Sequence, residues 1–476
     1  MPSSNNYKPI LVAFMNWKDE PLPGHEYDKN TEFSEQQLLQ IRPFHIVNWF
    51  NTRAYGVPNP GPDDYPIHHR SSSLKYWKKA ISSFMPNKGS GWFVDSQQGN
   101  PTKSNEVNDM IKKVKKHEVR KQGNAPEARR PMTEAEFRLT MRKLEVEQPE
   151  VQLLRKYLIP ALTKFQFHMM ARIDDSPQFW LENLSTYKGN DFVLGARLCW
   201  SKNVSEERDA PKQLLLGSMD PCFCVLVALA VWLEVFIRHG GTAGSTPYVF
   251  GLNDDISVPS GGDKVKDAVQ SVFSNEVFSR DEFAANGGLG SHSNRKFSRT
   301  HARRNGCSKD ECDLRGRWRS LRVSDIYEDV ELPFPDAKVA SKLCIGGPVK
   351  YKVKEESGVN DNFILTFVAP GIRERLGNEV ASILGKSLLW MVYSKDAELV
   401  HSVVRNRIVQ AFELQRPNDF FGNPIEKVLL NVSGTDGTVY FDEVRPINED
   451  HDTTNQPNPP QMANNPIAID TVEAID

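Results

Sequence analysis

Cysteine is scarce and scattered in this chain: six residues among 476, with Cys222 and Cys224 close together and no second close pair following. That spacing excludes a disulfide scaffold, and it leaves a zinc site short of the four ligands it needs. Reduced core thiols of an intracellular protein are the expectation. Long apolar runs are missing too. The opening MPSSNNYKPILVAFMNW has no apolar core behind a basic start, so no secretory signal is expected. The most apolar stretch, 222–237, carries Glu234 and falls short of the ~20 residues that span a bilayer. It opens at Asp220-Pro221 and stops at Arg238-His239-Gly240-Gly241, the entry and exit of a buried core helix. No membrane contact is expected. There is no internal repeat of useful length. The glycines near 287–290 lack the strand before and helix after that a nucleotide loop requires, and they read as a hinge.

Net charge is small, −2 at pH 7, which argues against a wholly basic protein that coats nucleic acid. The balance hides asymmetry. Basic runs at 112–121 and 295–322 oppose an acidic tail. So dense a positive run as Arg295, Lys296, Arg299, Arg303, Arg304, Arg315, Arg317, Arg319 and Arg322 repels itself unless a polyanion is near. The lysine-rich IKKVKKHEVRK reads as a basic helix, with Lys112, Lys113, Lys115 and Lys116 as further phosphate contacts or a nuclear-import patch.

Periodicity divides the chain. Residues 1–34 read as a flexible amino terminus and 35–121 as a helical unit, from QLLQIRPFHIVNWFNTRAYG through SSLKYWKKAISSFM. A linker at 122–132 carries Gly, Pro and mixed charge. Thr133 with Glu136 forms a capping box that opens a larger domain over 133–345. Within it, Leu154, Leu158, Leu162, Phe165 and Met169 recur at helical spacing and lead to Arg172. Phe192–Trp200 and Gln213–Gly217 read as a β-hairpin around a polar connection. An insertion-like region before His292 hints at one helix through Val265, Val269, Val272 and Phe273. Two helical patterns, Asn378–Tyr393 and Asp396–Leu414, lie in a carboxy-terminal region 346–445 of unassigned role, and 446–476 reads as a disordered tail. The fold class expected is mainly α with a small antiparallel β-sheet, α+β.

The stretch His292–Tyr327 carries the chemistry. His292 and Arg295 stand three apart, Thr300-His301-Ala302 follows, then Gly316-Arg317-Trp318, then Tyr327 nine positions after the tryptophan. Metal-free phosphodiester cleavage needs a nucleophile in line with cations or donors that hold the phosphate oxygens as charge builds. A tyrosine can be that nucleophile and store the bond energy in a covalent intermediate.

This order resembles the carboxy-terminal half of a tyrosine recombinase catalytic domain. The wording HARRNGCSKDECDLRGRWRS and LPFPDAKVA is similar to the recombinases of eukaryotic Crypton-type transposons. The resemblance implies an earlier arginine followed by an acid, met by Arg172 and Asp175, and a mobile lysine at the hairpin edge, met by Lys202. Arg197 is a rival for the first arginine but lacks the following acid. The family's roles would make Tyr327 the nucleophile, giving a 3′-phosphotyrosyl link and a free 5′-hydroxyl. Arg172 and Arg295 would grip the nonbridging oxygens, Lys202 would protonate the leaving oxygen, and His292 would assist proton transfer. Trp318 takes a position that is His in many members and Trp in some. Arg317, where the family pattern departs, reads as a DNA-backbone contact alongside Lys296, Arg299, Arg303, Arg304 and Arg319. The helical unit would be a core-binding domain that clamps double-stranded DNA, with a homotetramer assembled on DNA in the nucleus and no cofactor or metal. A catalytically inactive DNA-binding derivative and a type IB topoisomerase-like enzyme are the alternatives.

Overall fold

The computed structural model describes residues 4–120, 130–187, 190–201, 204, 210–239, 247–250, 289–290, 292–318 and 336–430. The chain divides into two compact units, Met1–Pro126 and Glu127–Asp476, and the division falls inside the segment that reads as a linker. Among the described residues helices dominate, joined by two small three-stranded antiparallel sheets and one two-stranded ribbon. Among the described residues no helix is long and apolar enough to cross a membrane.

The first unit is built on four main helices: α1 (Ser4–Asp19), α3 (Pro43–Tyr55), α4 (Ser71–Phe84) and α5 (Asn105–Arg120). The short α2 (Glu35–Leu39) and a ribbon of β1 (Trp92–Phe93) and β2 (Gln98–Gly99) complete it. The expectation of a flexible start is corrected here. Leu11, Phe14 and Met15 of α1 are buried with Ile46, Trp49 and Phe50 of α3, and Phe14 meets Trp49 edge-on. Tyr7, Leu11, Phe14 and Met15 form an apolar stripe at helical spacing, and Pro9 near the helix start obscured it. On α5, Val107, Met110, Ile111 and Val114 face the core while Lys112, Lys113, Lys115 and Lys116 stay exposed. Glu118 of α5 reaches the start of α4, where its carboxylate accepts from the Ser71 amide and hydroxyl.

The second unit opens with α6 (Glu134–Met141), closed at its start by the expected box: Thr133 accepts from the Glu136 amide, and Glu136 accepts from the Thr133 amide. π-helical turns follow at Arg142–Val146 and Leu154–Leu158, the latter running into α7 (Ile159–His168). The first sheet joins β3 (Leu184–Tyr187), β4 (Asn190–Ala196) and β5 (Gln213–Leu215). Strand periodicity sorts its side chains. Leu194 and Leu215 enter the main core, whereas Val193, Leu214 and Leu216 enter a separate cluster. Ala337 and Ala340 of α11 (Asp336–Leu343), with Cys344 just after it, complete that second cluster.

α8 (Val225–His239) is the apolar helix, entered through a turn that Asp220 caps by accepting from the Cys222 amide. α9 (Ser293–Arg304) and α10 (Lys309–Arg315) carry the motif, and α11 (Asp336–Leu343) packs beside both. The second sheet joins β6 (Gly217–Ser218), β7 (Pro348–Val353) and β8 (Ile425–Leu429). α12 (Pro370–Val392) breaks at Gly377, whose φ of 80° is left-handed, and α13 (Ser402–Gln415) follows. Gly377 sits where the first of the two periodic patterns begins, at Asn378. Residues 346–430 do not form a separate region: β7 pairs with β6, and α12 packs along α8 inside the same core. Separate periodic patterns in sequence carry no information about which apolar faces meet, so this correction is one of packing. The expected helix around 265–273, the hinge up to Gly288, and the tail lie outside the described residues.

Candidate functional site

α9 sets the geometry. His292 is its N-cap residue and is exposed; Arg295 lies one turn later and faces inward at 5 % exposure. The helix is held from below by two polar anchors in the core. Asn294 donates to the Thr163 carbonyl at 2.9 Å, and Ser298 donates to the Phe167 carbonyl. Ser293 also accepts the Met132 amide through its carbonyl, 3.1 Å, which ties the start of the unit to the motif.

Gly316-Arg317-Trp318 closes α10 against this helix. Arg295 donates from Nη2 to the Gly316 carbonyl, and its guanidinium lies 4.4 Å from the Trp318 ring centre. Arg299 flanks the same ring at 4.9 Å and pairs with Asp313 at 2.6 Å. Glycine at 316 is required by close approach: a β-carbon there would collide with the indole of Trp318. The remaining two nitrogens of Arg295, Nε and Nη1, are buried and have no hydrogen-bond partner among the described residues.

Arg172 arrives from the turn after α7. It donates from Nη1 to the Ser201 hydroxyl at 3.2 Å and lies 3.6 Å from Asp175. Ser201 in turn donates to Asp175 at 2.8 Å. Arg197, the rival, is spent elsewhere, donating from Nε to the Ala210 carbonyl at 2.8 Å. Arg317 is buried too, at 5 % exposure. It donates from Nη1 to Gln213 Oε1 at 2.8 Å and from Nη2 to the Met169 carbonyl at 3.2 Å. A DNA-backbone contact from a surface is therefore not its position. Its backbone is left-handed at this residue, φ 54°.

The electrostatics follow from this convergence. Burial, then the charges of Arg317 and Arg172, pull the pKa of Arg295 down to about 9, so it still carries its charge at neutrality. Burial lowers Arg317 to about 10, with Asp175 opposing and Arg315 and Arg172 adding to the fall. Desolvation, then Arg295, lowers His292 from its ordinary 6.5, which favours the neutral imidazole. Arg172, Arg295 and Arg317 thus act on one another, with the buried carboxylate of Asp175 opposing the fall at both Arg295 and Arg317 and that of Asp336 at Arg317. Arg315 differs although it belongs to the same basic run. It is fully buried, paired with Asp336, and donates to the His168 and Leu214 carbonyls.

Of the expected site residues, Arg172, His292, Arg295 and Trp318 come together, with Arg317 beside them. Lys202, Tyr327 and Arg319 lie outside the described residues. Lys296, Arg303 and Arg304 are exposed on α9 and Arg299 is half-buried, while the four lysines of α5 belong to the first unit. Cys307, in the turn between α9 and α10, and Cys312, on α10, are buried free thiols. Sequence reasoning missed Ser201 and Gln213. Ser201 had one weak signal, its place just before Lys202; Gln213 reads only as the first residue of a strand.

No protein-family model matches the chain, and no curated protein is similar enough to it to count as a relative.

Proposed function

We propose that this protein is a DNA strand transferase that cleaves and rejoins duplex DNA through a 3′-phosphotyrosyl intermediate, as a site-specific recombinase of the tyrosine type. The observation that carries the reading is the excess of buried cation around Arg295. Four guanidiniums, from half-buried Arg172 and from buried Arg295, Arg315 and Arg317, stand against two carboxylates, Asp175 and Asp336, the latter already paired with Arg315, and two nitrogens of Arg295 have no partner among the described residues. Like charges buried together destabilise one another, and an anion with several acceptor oxygens reverses that cost. A phosphodiester fits, because a guanidinium presents a planar fork of donors to its nonbridging oxygens. The exposed basic face of α9 supplies steering and further backbone contacts.

In the reaction, the hydroxyl oxygen of Tyr327 attacks phosphorus, its proton passes to a base, and the bond to the 5′-oxygen breaks. His292, kept neutral by its surroundings, suits the base. Lys202 protonates the departing oxygen. Arg172 and Arg295 bear the charge that builds on the phosphorane, and Trp318 can donate its indole N–H but cannot exchange a proton. Reversal of the step with a new 5′-hydroxyl rejoins the strand, so no nucleotide or metal enters the balance. Exchange of both duplexes requires four protomers on DNA, and duplex substrate implies a nuclear site of action.

A covalent-trapping assay tests this. Full-length protein meets nicked suicide duplexes cut from the flanks of its own gene, without divalent metal, beside Tyr327→Phe and Arg295→Ala. The expected outcome is a protein–DNA adduct joined at the 3′ side and absent in both variants. Tight, salt-sensitive binding without any adduct would replace the reading with that of a DNA-binding protein that does not transfer strands. Relaxation of supercoiled plasmid by the monomer, without sequence requirement, would replace it with a topoisomerase.

A further inference from the structure

Among the described residues of the second unit, only two non-glycine residues occupy the left-handed backbone region: Met170 (φ 45°) and Arg317 (φ 54°). That region is unfavourable for any residue with a β-carbon, and such strain persists only where the surroundings over-determine it. The two are far apart in sequence, yet one hydrogen bond ties them. Arg317 Nη2 donates to the carbonyl of Met169, the oxygen of the peptide that leads into Met170. Each strained residue also delivers a site residue. Arg172 follows Met170 by two positions, and Trp318 follows Arg317 directly.

A brace holds the arrangement from β5. Gln213 is 1 % exposed; its Oε1 accepts from Arg317 Nη1 at 2.8 Å, and its Nε2 donates to the Arg315 carbonyl at 2.8 Å. Arg317 Nη1 also donates to that same carbonyl at 3.2 Å. Gln213 Oε1 and the backbone carbonyls of Arg315 and Met169 thus all accept from the Arg317 guanidinium. Together they lock the turn after α7 to the turn after α10.

We propose that Arg317 is a positioning residue: it holds the Met169–Arg172 turn and Trp318 in register around the phosphate pocket, braced by Gln213, without itself touching DNA. The inference rests on the strand-transferase reading for its role in rate, but its structural half stands apart from it. The charge of Arg317 acts in the same direction, as the foremost neighbouring charge on Arg295.

Arg317→Lys tests it, because an ammonium keeps the charge but cannot hold the Gln213 oxygen and two carbonyls in one plane. In single-turnover adduct formation, the cleavage rate is expected to fall about a hundredfold, the scale of a small misplacement of catalytic groups. The DNA concentration at half-maximal rate and the salt dependence of binding are expected to match the wild type. Gln213→Leu is expected to lower the rate in the same direction, and the double variant no further than Arg317→Lys alone. A salt dependence reduced by about one counterion, with weaker half-saturation, would make Arg317 a direct phosphate contact and overturn the proposal. An unchanged cleavage rate in either single variant with a wild-type melting midpoint would overturn it as well.

A crystal structure of Arg317→Lys supplies the readout that needs no cleavage. Met170 should leave the left-handed region, and Arg172 Nη1 should move off Ser201. An unchanged 169–172 turn overturns the proposal even for a protein that forms no adduct. Absence of an adduct with the wild type, by contrast, counts against the strand-transferase reading alone.

Discussion

Arg315 and Arg317 stand two apart in one basic run, both are buried, and they do different things. Arg315 meets Asp336 and two carbonyls, which leaves its charge compensated. Arg317 meets Gln213 and the Arg315 and Met169 carbonyls, and its charge is the foremost neighbouring one felt at Arg295. Residue identity and spacing do not separate them; only the partner brought by β5 or α11 does. His168 makes the same point for titration. It is fully buried, its Nε2 sits 2.8 Å from the Phe223 carbonyl, and burial, reinforced by Arg315, His301 and Lys164, lowers its pKa to about 3. The folded state therefore holds a neutral imidazole that the unfolded chain protonates below its ordinary 6.5. Its contribution is intact above that value and is lost as pH falls toward 3, at about 1.4 kcal/mol per pH unit. Urea midpoints measured from pH 7 to pH 4 should fall less steeply in His168→Gln than in the wild type. Equal slopes would show that His168 does not carry the acid response.

Local rules fixed the helix ends well. The capping box at Thr133, the Asp220-Pro221 entry to α8 and the start of a new helix after Gly377 all follow from side-chain chemistry within a turn. The hairpin of β4 and β5 was legible for the same reason, since alternation needs only neighbours in sequence. β3 was not legible, because four residues of mixed polarity, LSTY, hold no period of their own and pair only because β4 is there. The link between α8 and the carboxy-terminal helices was equally hidden. Glu234, buried in the middle of α8, accepts from the Gly371 and Ile372 amides at 3.2 Å each, at the start of α12. Arg407 of α13 pairs with it at 2.8 Å and donates to the Phe367 and Val368 carbonyls. Glu234→Gln should cost roughly 1.5–3 kcal/mol, the range for hydrogen bonds to a charged group, read as a lower denaturant midpoint at neutral pH. A midpoint unchanged within error would mean that the carboxylate does not tie these helices together.

The second unit has one main core, and its carboxy-terminal third belongs to it. α12 buries Ile383, Leu384, Leu388 and Leu389 in that core. At ~2 kcal/mol for each large apolar side chain, these four alone approach the ~5–15 kcal/mol net stability of a whole domain. A chain ended after residue 345 would also strip β7 from β6. It should give no cooperative thermal transition by far-ultraviolet circular dichroism, whereas a melt matching the full chain would show the region to be an appendage after all. By itself the sequence determined the helical class, the hairpin, the linker and the motif order from His292 to Trp318, because each depends on side chains within a few positions of one another. Only the tertiary structure decided that Arg172, Arg295 and Arg317 meet near Asp175, that Ser201 and Gln213 hold Arg172 and Arg317, and that residues 346–430 complete the core. Those facts depend on which distant faces pack together, and a pattern of local periods does not encode the pairing.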